Sequence, residues 1–456
     1  MAKKPSAQEL LARMSGKSRS DPNVHDCWSE ITAGNIDLQR KRNAERRDQK
    51  KVNAAMGNVA QWEDNYKFAC GEKFPFDLHP AQGDERNALV ALFEATHGHR
   101  WRQVHGWAGR KSNPSRLGFE HYDCHIMGWW GVGVEPSKPT QVNPKVLSLV
   151  KSLQLNANDL DGQLPEEMCN LRNITTLELA SNQLEGPLPA DMLSGMRVLE
   201  YLDLHDNELS GPLPEEWGVA LREVDLSGNK FTGEIPEGIG ACQRVTILSL
   251  RQNQLEGPIP EGIYSIPGLK RLNLSQNELG GELREDMGLP TTLKLLDISS
   301  NFIAGPLPAW ISTLTNLDTL HLSLNQMEGP LPEDIGACSK VVSLQAQQNH
   351  FTGPIPRSIG HMSNLKYLNL SFNELEGVAP RELCRLSKLQ VLLLHRNQLV
   401  SPMPTNLRAL KGLIDMSIVD TTPSANLSAR RRFKRQDFER VHIAAPALDM
   451  NTNYSP

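Results

Sequence analysis

The sequence predicts an α/β protein: a right-handed, curved solenoid with a parallel β-sheet on its concave face, about eleven repeats of 24 residues and a helical N-terminal cap. Three observations carry this. An asparagine recurs at Asn158, Asn182, Asn207, Asn229, Asn253, Asn277, Asn301, Asn325, Asn349, Asn373 and Asn397, in steps of 24, 25 and 22 followed by seven of 24. Apolar residues stand five and three places before each asparagine, with polar residues between them. Glycine stands four places after ten of these asparagines, and 17 of the 30 prolines stand five or seven places after one. A fixed period in this range marks a stacked-repeat architecture.

Each column has a physical reason. Apolar residues at −5 and −3, alternating with polar residues at −6, −4 and −2, give the period of two expected of a strand with one buried face. Strands one repeat apart run parallel, about 4.8 Å from each other. The asparagine amide carries both donors and an acceptor, so a stacked column can satisfy backbone groups where each strand turns away. Glycine at +4 permits backbone angles closed to other residues. Proline fixes the bend that follows and brings no donor needing a partner. One repeat cannot bury its own apolar face, so stability comes from neighbours and the ends need caps.

In the fifth copy the frame is Val245, Leu248, Leu250, Asn253, Leu255, Gly257, Ile259 and Pro260. It resembles the plant-type leucine-rich repeat, and segments such as Ile335–Lys340 resemble those of plant receptor ectodomains and polygalacturonase-inhibitor-like proteins. The resemblance covers residues 150–420 and implies a second short strand on the flank, from the Gly-x-Ile-Pro stretch. Departures are local: Arg284 replaces proline in the sixth copy, Ala346 a strand leucine in the ninth, and Ser401 glycine in the eleventh. A twelfth strand with Leu413, Met416 and Ile418 meets Thr421 where asparagine is due, which closes the solenoid.

The cap carries a second resemblance. Asp84–Phe93 reads as an amphipathic helix with an acidic start. It runs on through Trp101 and Trp107 to Trp129-Trp130-Gly131-Val132, similar to the capping helix and Trp-x-Gly-Val segment of such repeats. Gly131-Val132-Gly133 reads as a cap turn. Secreted plant relatives brace this region with a cysteine pair. Here Cys124 is present, but Val134 stands where the second cysteine would follow. The resemblance therefore implies an unbridged cap, in agreement with a reducing compartment.

Four segments follow: residues 1–84 as a charged, partly helical or disordered extension, 85–149 as the cap, 150–420 as the solenoid, and 421–456 as a basic, disordered tail. With 39% hydrophobic and 22% charged residues, the chain is neither a membrane protein nor wholly disordered. Residues 1–30 lack the apolar core of a secretory leader, and no run of about 18 apolar residues occurs. These features point to the cytoplasm, with the nucleus open. An extracellular or membrane-associated place is the alternative if a leader precedes the chain.

The candidate surface is the concave face. Its −4 column reads Gln154, Glu178, Asp203, Asp225, Ser249, Asn273, Asp297, His321, Gln345, Asn369 and Leu393. The −2 column is rich in small serines that leave the sheet accessible. Residues 150–228 hold 15 acidic against 4 basic side chains, whereas 229–420 hold 18 against 16. Glu178, Glu200, Tyr201, Asp203, His205, Asp206, Glu223 and Asp225 are expected to cluster there. Like charges on adjacent strands are destabilising, so a protein partner with a basic surface is one reading and a merely solvated acidic flank the other. Basic runs lie outside the repeats, at Leu38–Lys51 and Arg430–Arg435. They read as a localisation or nucleic-acid patch, as a tail docking on the acidic face, or as a solubilising tail. Sparse aromatics disfavour nucleic acid, and a small-molecule ligand is not expected.

Enzyme signatures are missing: no phosphate loop with Lys-Ser/Thr and no kinase segments, so no catalytic residue and no cofactor are assigned. His97, His99, His105, His121 and His125 beside Cys124 form a zinc-like grouping, but their spacing is irregular and no metal is assigned. Cys169, Cys242, Cys338 and Cys384 read as small core fillers. Glycosylation sequons occur at Asn173, Asn273, Asn369, Asn426 and Asn453, two of them within strands. Three functions remain: a non-catalytic intracellular protein-interaction scaffold, a receptor-like or secreted recognition or inhibitor protein, and a targeting subunit of an enzyme complex.

Overall fold

The computed structural model describes residues 80–104, 107, 130–136, 148–400, 404, 407 and 410–418. The chain divides into two units, and the one spanning Leu78–Ile443 holds all of these. Both basic runs, Ser401, Thr421, Cys124, His105, His121, His125, Asn426 and Asn453 lie outside the described residues.

Helix α1 (Pro80–Ala95) opens the described chain. It starts a turn earlier than the acidic pair Asp84-Glu85 suggests, because proline suits the first helical position, where no N–H is required. Glu85 is consequently not a first-turn partner of the helix dipole; it is buried at 1% exposure. Ala88, Leu89 and Leu92 are fully buried on the same side. Phe93 meets Trp101 edge-on at 5.2 Å and stacks on Trp107 at 6.0 Å. Both indole N–H groups donate to carbonyls, Trp101 to Thr96 at 2.9 Å and Trp107 to Trp130 at 2.8 Å. The aromatic body is thus buried while its polar edge stays satisfied.

After Gly131, whose φ of 79° makes the turn, Val132 already begins a strand. β1 (Val132–Pro136) pairs antiparallel with β2 (Ser148–Gln154), and Val134 stands opposite Val150. The Gly131-Val132-Gly133 segment is therefore a turn only at its first residue. Val134, where the resemblance expects the second cysteine, is a member of this ladder. From β2 onward the strands are parallel and in chain order: β3 (Thr176–Glu178), β4 (Tyr201–Asp203), β5 (Glu223–Asp225), β6 (Ile247–Ser249), and so on to Asp415–Ser417, thirteen strands in one sheet. The last strand includes Met416, as the sequence requires, and pairs with Val391–Leu393. Short second strands flank the sheet, the first six, from Asp161–Gln163 to Glu278–Leu279, forming one parallel ladder.

The asparagine ladder accounts for the turn out of each strand. Asn277 Nδ2 donates to the carbonyls of Leu250 at 2.9 Å, Leu274 at 3.0 Å and Ser275 at 3.4 Å, while its Oδ1 accepts the Leu255 N–H at 3.2 Å. One side chain therefore serves two consecutive repeats, which makes the column cooperative rather than local. The residue before each ladder asparagine is left-handed whatever its type: Leu324 has φ 58°, Phe372 54° and Arg396 57°, and Gly228 is the sole glycine among them. The sequence reading missed this, since the position carries no glycine column.

On the side opposite the sheet, short helical turns such as Glu237–Ala241 and Arg381–Arg385 follow the prolines. Cys242 and Cys338 are buried and their thiols reach the carbonyls of Gly218 and Ile311, one repeat back. Burial pushes these thiols up to about 12 and about 11. Cys169 and Cys384 are only half-buried, so two of the four expected core fillers sit at its margin. Ala346 is fully buried in the leucine position it occupies. Where Arg284 replaces proline no helical turn forms; its guanidinium bridges Asp286 at 2.6 Å and Glu261 at 3.1 Å, and its carbonyl accepts the Trp310 indole N–H at 2.7 Å.

Candidate functional site: an acidic row on the large sheet

Parallel register places Glu178, Asp203 and Asp225 side by side on β3, β4 and β5. Strand spacing of about 4.8 Å brings three carboxylates into one row across the exposed sheet face. Tyr201 and Glu223 form the neighbouring row, also as register partners, and Tyr201 is 40% exposed.

His205 sits two residues beyond Asp203. Its ring Nδ1 lies 2.6 Å from Asp203 Oδ1, and its backbone N–H donates to the same oxygen at 3.2 Å. On the far side, His205 Nε2 is 4.0 Å from Asp206 Oδ2. Burial pulls the imidazole's pKa down, but the hydrogen bond to Asp203 and the charges of Asp203, Asp225 and Asp206 outweigh it and raise it to about 9. The acidic row thus favours the charged form of the ring. Burial raises the Asp225 carboxyl, opposed by hydrogen bonds from Ser227 and reinforced by the charge of Asp203.

Glu200 does not join the row. It precedes β4 and forms an ion pair with Arg222 at 3.1 Å, so its charge is taken up at the sheet margin. Asp206 lies past the strand, in the left-handed turn with φ 53°.

Two features escaped the sequence reading. Asn156 donates to Glu178 Oε2 at 3.2 Å and accepts the Ala180 N–H at 2.7 Å, tying the first carboxylate of the row to the repeat before it. The serines at −2 are not mere spacers. Ser227, Ser275, Ser299 and Ser371 each donate, through backbone N–H and hydroxyl, to the side chain at −4: Asp225, Asn273, Asp297 and Asn369. The spacing of two on one strand face was the available signal. His205 on Asp203 is the same clasp with imidazole in place of a hydroxyl.

Further along the row, His321 Nδ1 lies 3.7 Å from Asp297 Oδ2, and its Nε2 is 3.0 Å from Ser343 Oγ. Of the cap histidines, His97 is used structurally: its Nδ1 donates to the Asp161 carbonyl at 2.7 Å. The sequon Asn173 donates to Glu85 at 3.0 Å, and Asn273 and Asn369 end their strands, Asn369 at 5% exposure. Among the described residues no helix is long and apolar enough to cross a membrane.

Known families and structures agree with this architecture. Leucine-rich-repeat family models match residues 198–219, 220–242, 292–314 and 339–399. No curated protein sequence matches the chain. Among solved structures, the PEPR1–AtPEP1 complex is similar at 29% identity and a TM-score of 0.58, over 73% of this chain and 48% of that one. A TDR receptor aligns at 27% identity and 0.54, over 59% and 51%. The Arabidopsis receptor kinase HAESA, in complex with the peptide hormone IDA and the co-receptor SERK1, aligns at 29% and 0.51, over 58% and 49%. The chain spans about half the length of these receptor structures. Its fold is that of a leucine-rich-repeat solenoid, similar to the ectodomains of plant receptors.

Proposed function

We propose that this leucine-rich-repeat solenoid is a non-catalytic recognition module that binds a protein or peptide partner of basic character on the exposed face of its large sheet. The observation that carries this reading is the row Glu178–Asp203–Asp225 on three adjacent strands. Among the described residues none of the three carboxylates is paired with a lysine or arginine. A basic partner offsets the mutual repulsion of the row, and complementary charge speeds encounter and selects register. The similar HAESA structure is a complex with the peptide hormone IDA, which supports a peptide or extended segment as the occupant.

The compartment we infer is intracellular. Cys169, Cys242 and Cys338 are free thiols, and the cap is held at Val134 by strand pairing. At Asn369 a glycan would have to leave a strand end with 5% exposure. A receptor-like extracellular protein is the second reading, favoured by the similarity to plant receptor structures.

Affinity capture with crosslinking from the native cell tests the first part, comparing the unsubstituted chain with Asp203→Lys, Glu223→Lys, Asp225→Lys. Loss of the captured partners on charge reversal is the expected result; retention of all of them would sink the reading. Glycopeptide mass spectrometry at Asn173 and Asn369 separates the compartments, a glycan at either site favouring the extracellular one.

A further inference from the structure

Among the described residues one set of three metal-ligating side chains converges: a ligand atom from each of Asp203, His205 and Asp225, all within 4.8 Å of one another. The fold enforces this convergence. Asp203 and Asp225 are register partners on β4 and β5, and His205 follows Asp203 by two residues, on the same sheet face. The donor set is mixed, an imidazole between carboxylates, and each member is half-buried.

The donors are also held in place. Ser227 grips Asp225 Oδ1 through its N–H and hydroxyl, which fixes the carboxylate. The His205 N–H grips Asp203 Oδ1 at 3.2 Å. Such outer partners orient ligands in metal sites generally. Nearby cations are committed elsewhere, Arg222 to Glu200 at 3.1 Å and Lys230 to Glu208 at 2.9 Å.

We propose that Asp203, His205 and Asp225 form a binding site for a divalent transition-metal ion of the zinc class, its remaining coordination positions open to solvent on the sheet face. Imidazole with carboxylate is a donor set zinc accepts, at about 2.0–2.2 Å. Calcium and magnesium prefer all-oxygen shells and gain nothing from His205. His205 Nδ1 and Asp203 Oδ1, 2.6 Å apart, are two of the atoms such an ion would bridge. Metal binding is a property of the free chain, so it stands or falls independently of the partner reading.

The experiment is isothermal titration of the full chain with ZnCl2 in a non-chelating buffer, with CaCl2 and MgCl2 as parallel arms and CoCl2 for a visible spectrum. Zinc added in solution also meets the histidines outside this cluster, so the readout is the difference between variants. Asp203→Asn with Asp225→Asn, and separately His205→Gln, should each weaken one zinc event by about ten-fold or more and remove the cobalt band assigned to it. Glu208→Gln, on the flank, should leave every event unchanged. The amide variants keep the acceptor for Ser227, and circular dichroism confirms that they fold. Zinc isotherms and cobalt spectra identical in His205→Gln and the unsubstituted chain would overturn the site, as would equal affinity for calcium.

Discussion

Glu85 of helix α1 and Asn173 of the first repeat turn are joined by a hydrogen bond of 3.0 Å across 88 residues of sequence. The second carboxylate oxygen accepts the Val150 N–H at 3.0 Å. A single buried side chain thus docks the cap helix on both β2 and the turn that leads into β3. Burial raises its pKa, and the hydrogen bonds from Val150 and Asn173 pull against that rise.

Glu85→Ala should therefore destabilise the N-terminal end by about 1–3 kcal/mol, the cost of leaving buried donors unmade. Chemical denaturation measures the loss. Hydrogen exchange should localise it to α1 and β2; uniform loss of protection along the solenoid would contradict this.

Asn277→Ala removes four hydrogen bonds at once and should cost about 3–5 kcal/mol, in the range reserved for broken buried networks. Asn277→Asp has the same shape but turns three donations into repulsions. Its buried carboxyl should have a raised pKa, so its stability deficit should shrink as pH falls toward 5. A deficit independent of pH would argue against the ladder's role.

Phe372 is 46% exposed and left-handed at φ 54°. Phe372→Val should cost about 1–2 kcal/mol although little burial is lost, because a β-branched side chain resists that conformation. Phe372→Gly should be nearly neutral, relief of strain offsetting added chain entropy. Equal costs for both would show that the ring contact with His395, 5.2 Å away, matters more than the backbone.

In metal-free protein, His205 should make stability depend on pH. Its folded pKa, about 9, is above the ordinary 6.5. The contribution is fully present below pH 6.5 and is lost as pH rises through 9. The facing groups are Asp203, Asp225 and Asp206. With the ring 36% exposed, solvent screening limits the effect to about 1 kcal/mol. Comparing urea midpoints at pH 6 and 9.5 for the unsubstituted chain and His205→Gln isolates it.

Thiol labelling at pH 8 should spare Cys242 and Cys338, whose pKa values lie at about 12 and 11. The half-buried Cys169 should react first. Peptide mapping of the labelled sites distinguishes the order.

Much of this architecture is legible in one dimension. The positions of Leu248, Leu250, Asn253 and Gly257 repeat because each serves a contact with the next coil. A period in sequence is therefore a period in space, and the strands, the ladder and the short flanking strands follow from it. The row Glu178–Asp203–Asp225 was legible for the same reason, since equal offsets from the asparagine become neighbours in parallel register.

Other features depend on contacts between residues at unrelated offsets, and the pattern is silent there. Glu85 looked like an acidic helix start, yet it is a buried acceptor for groups 65 and 88 residues away. Glu200 has the charge for the acidic row but stands one residue outside the strand, beside Arg222. The left-handed turn at Leu324 and Phe372 leaves no compositional trace, because the asparagine network imposes it on any side chain. The sequence by itself determined the coil, its sheet and the acidic bias of one end. The tertiary structure alone decided which charges are paired, which donors converge at His205, and how the cap is attached. Those outcomes depend on distances between side chains, and periodicity sets only the backbone frame that carries them.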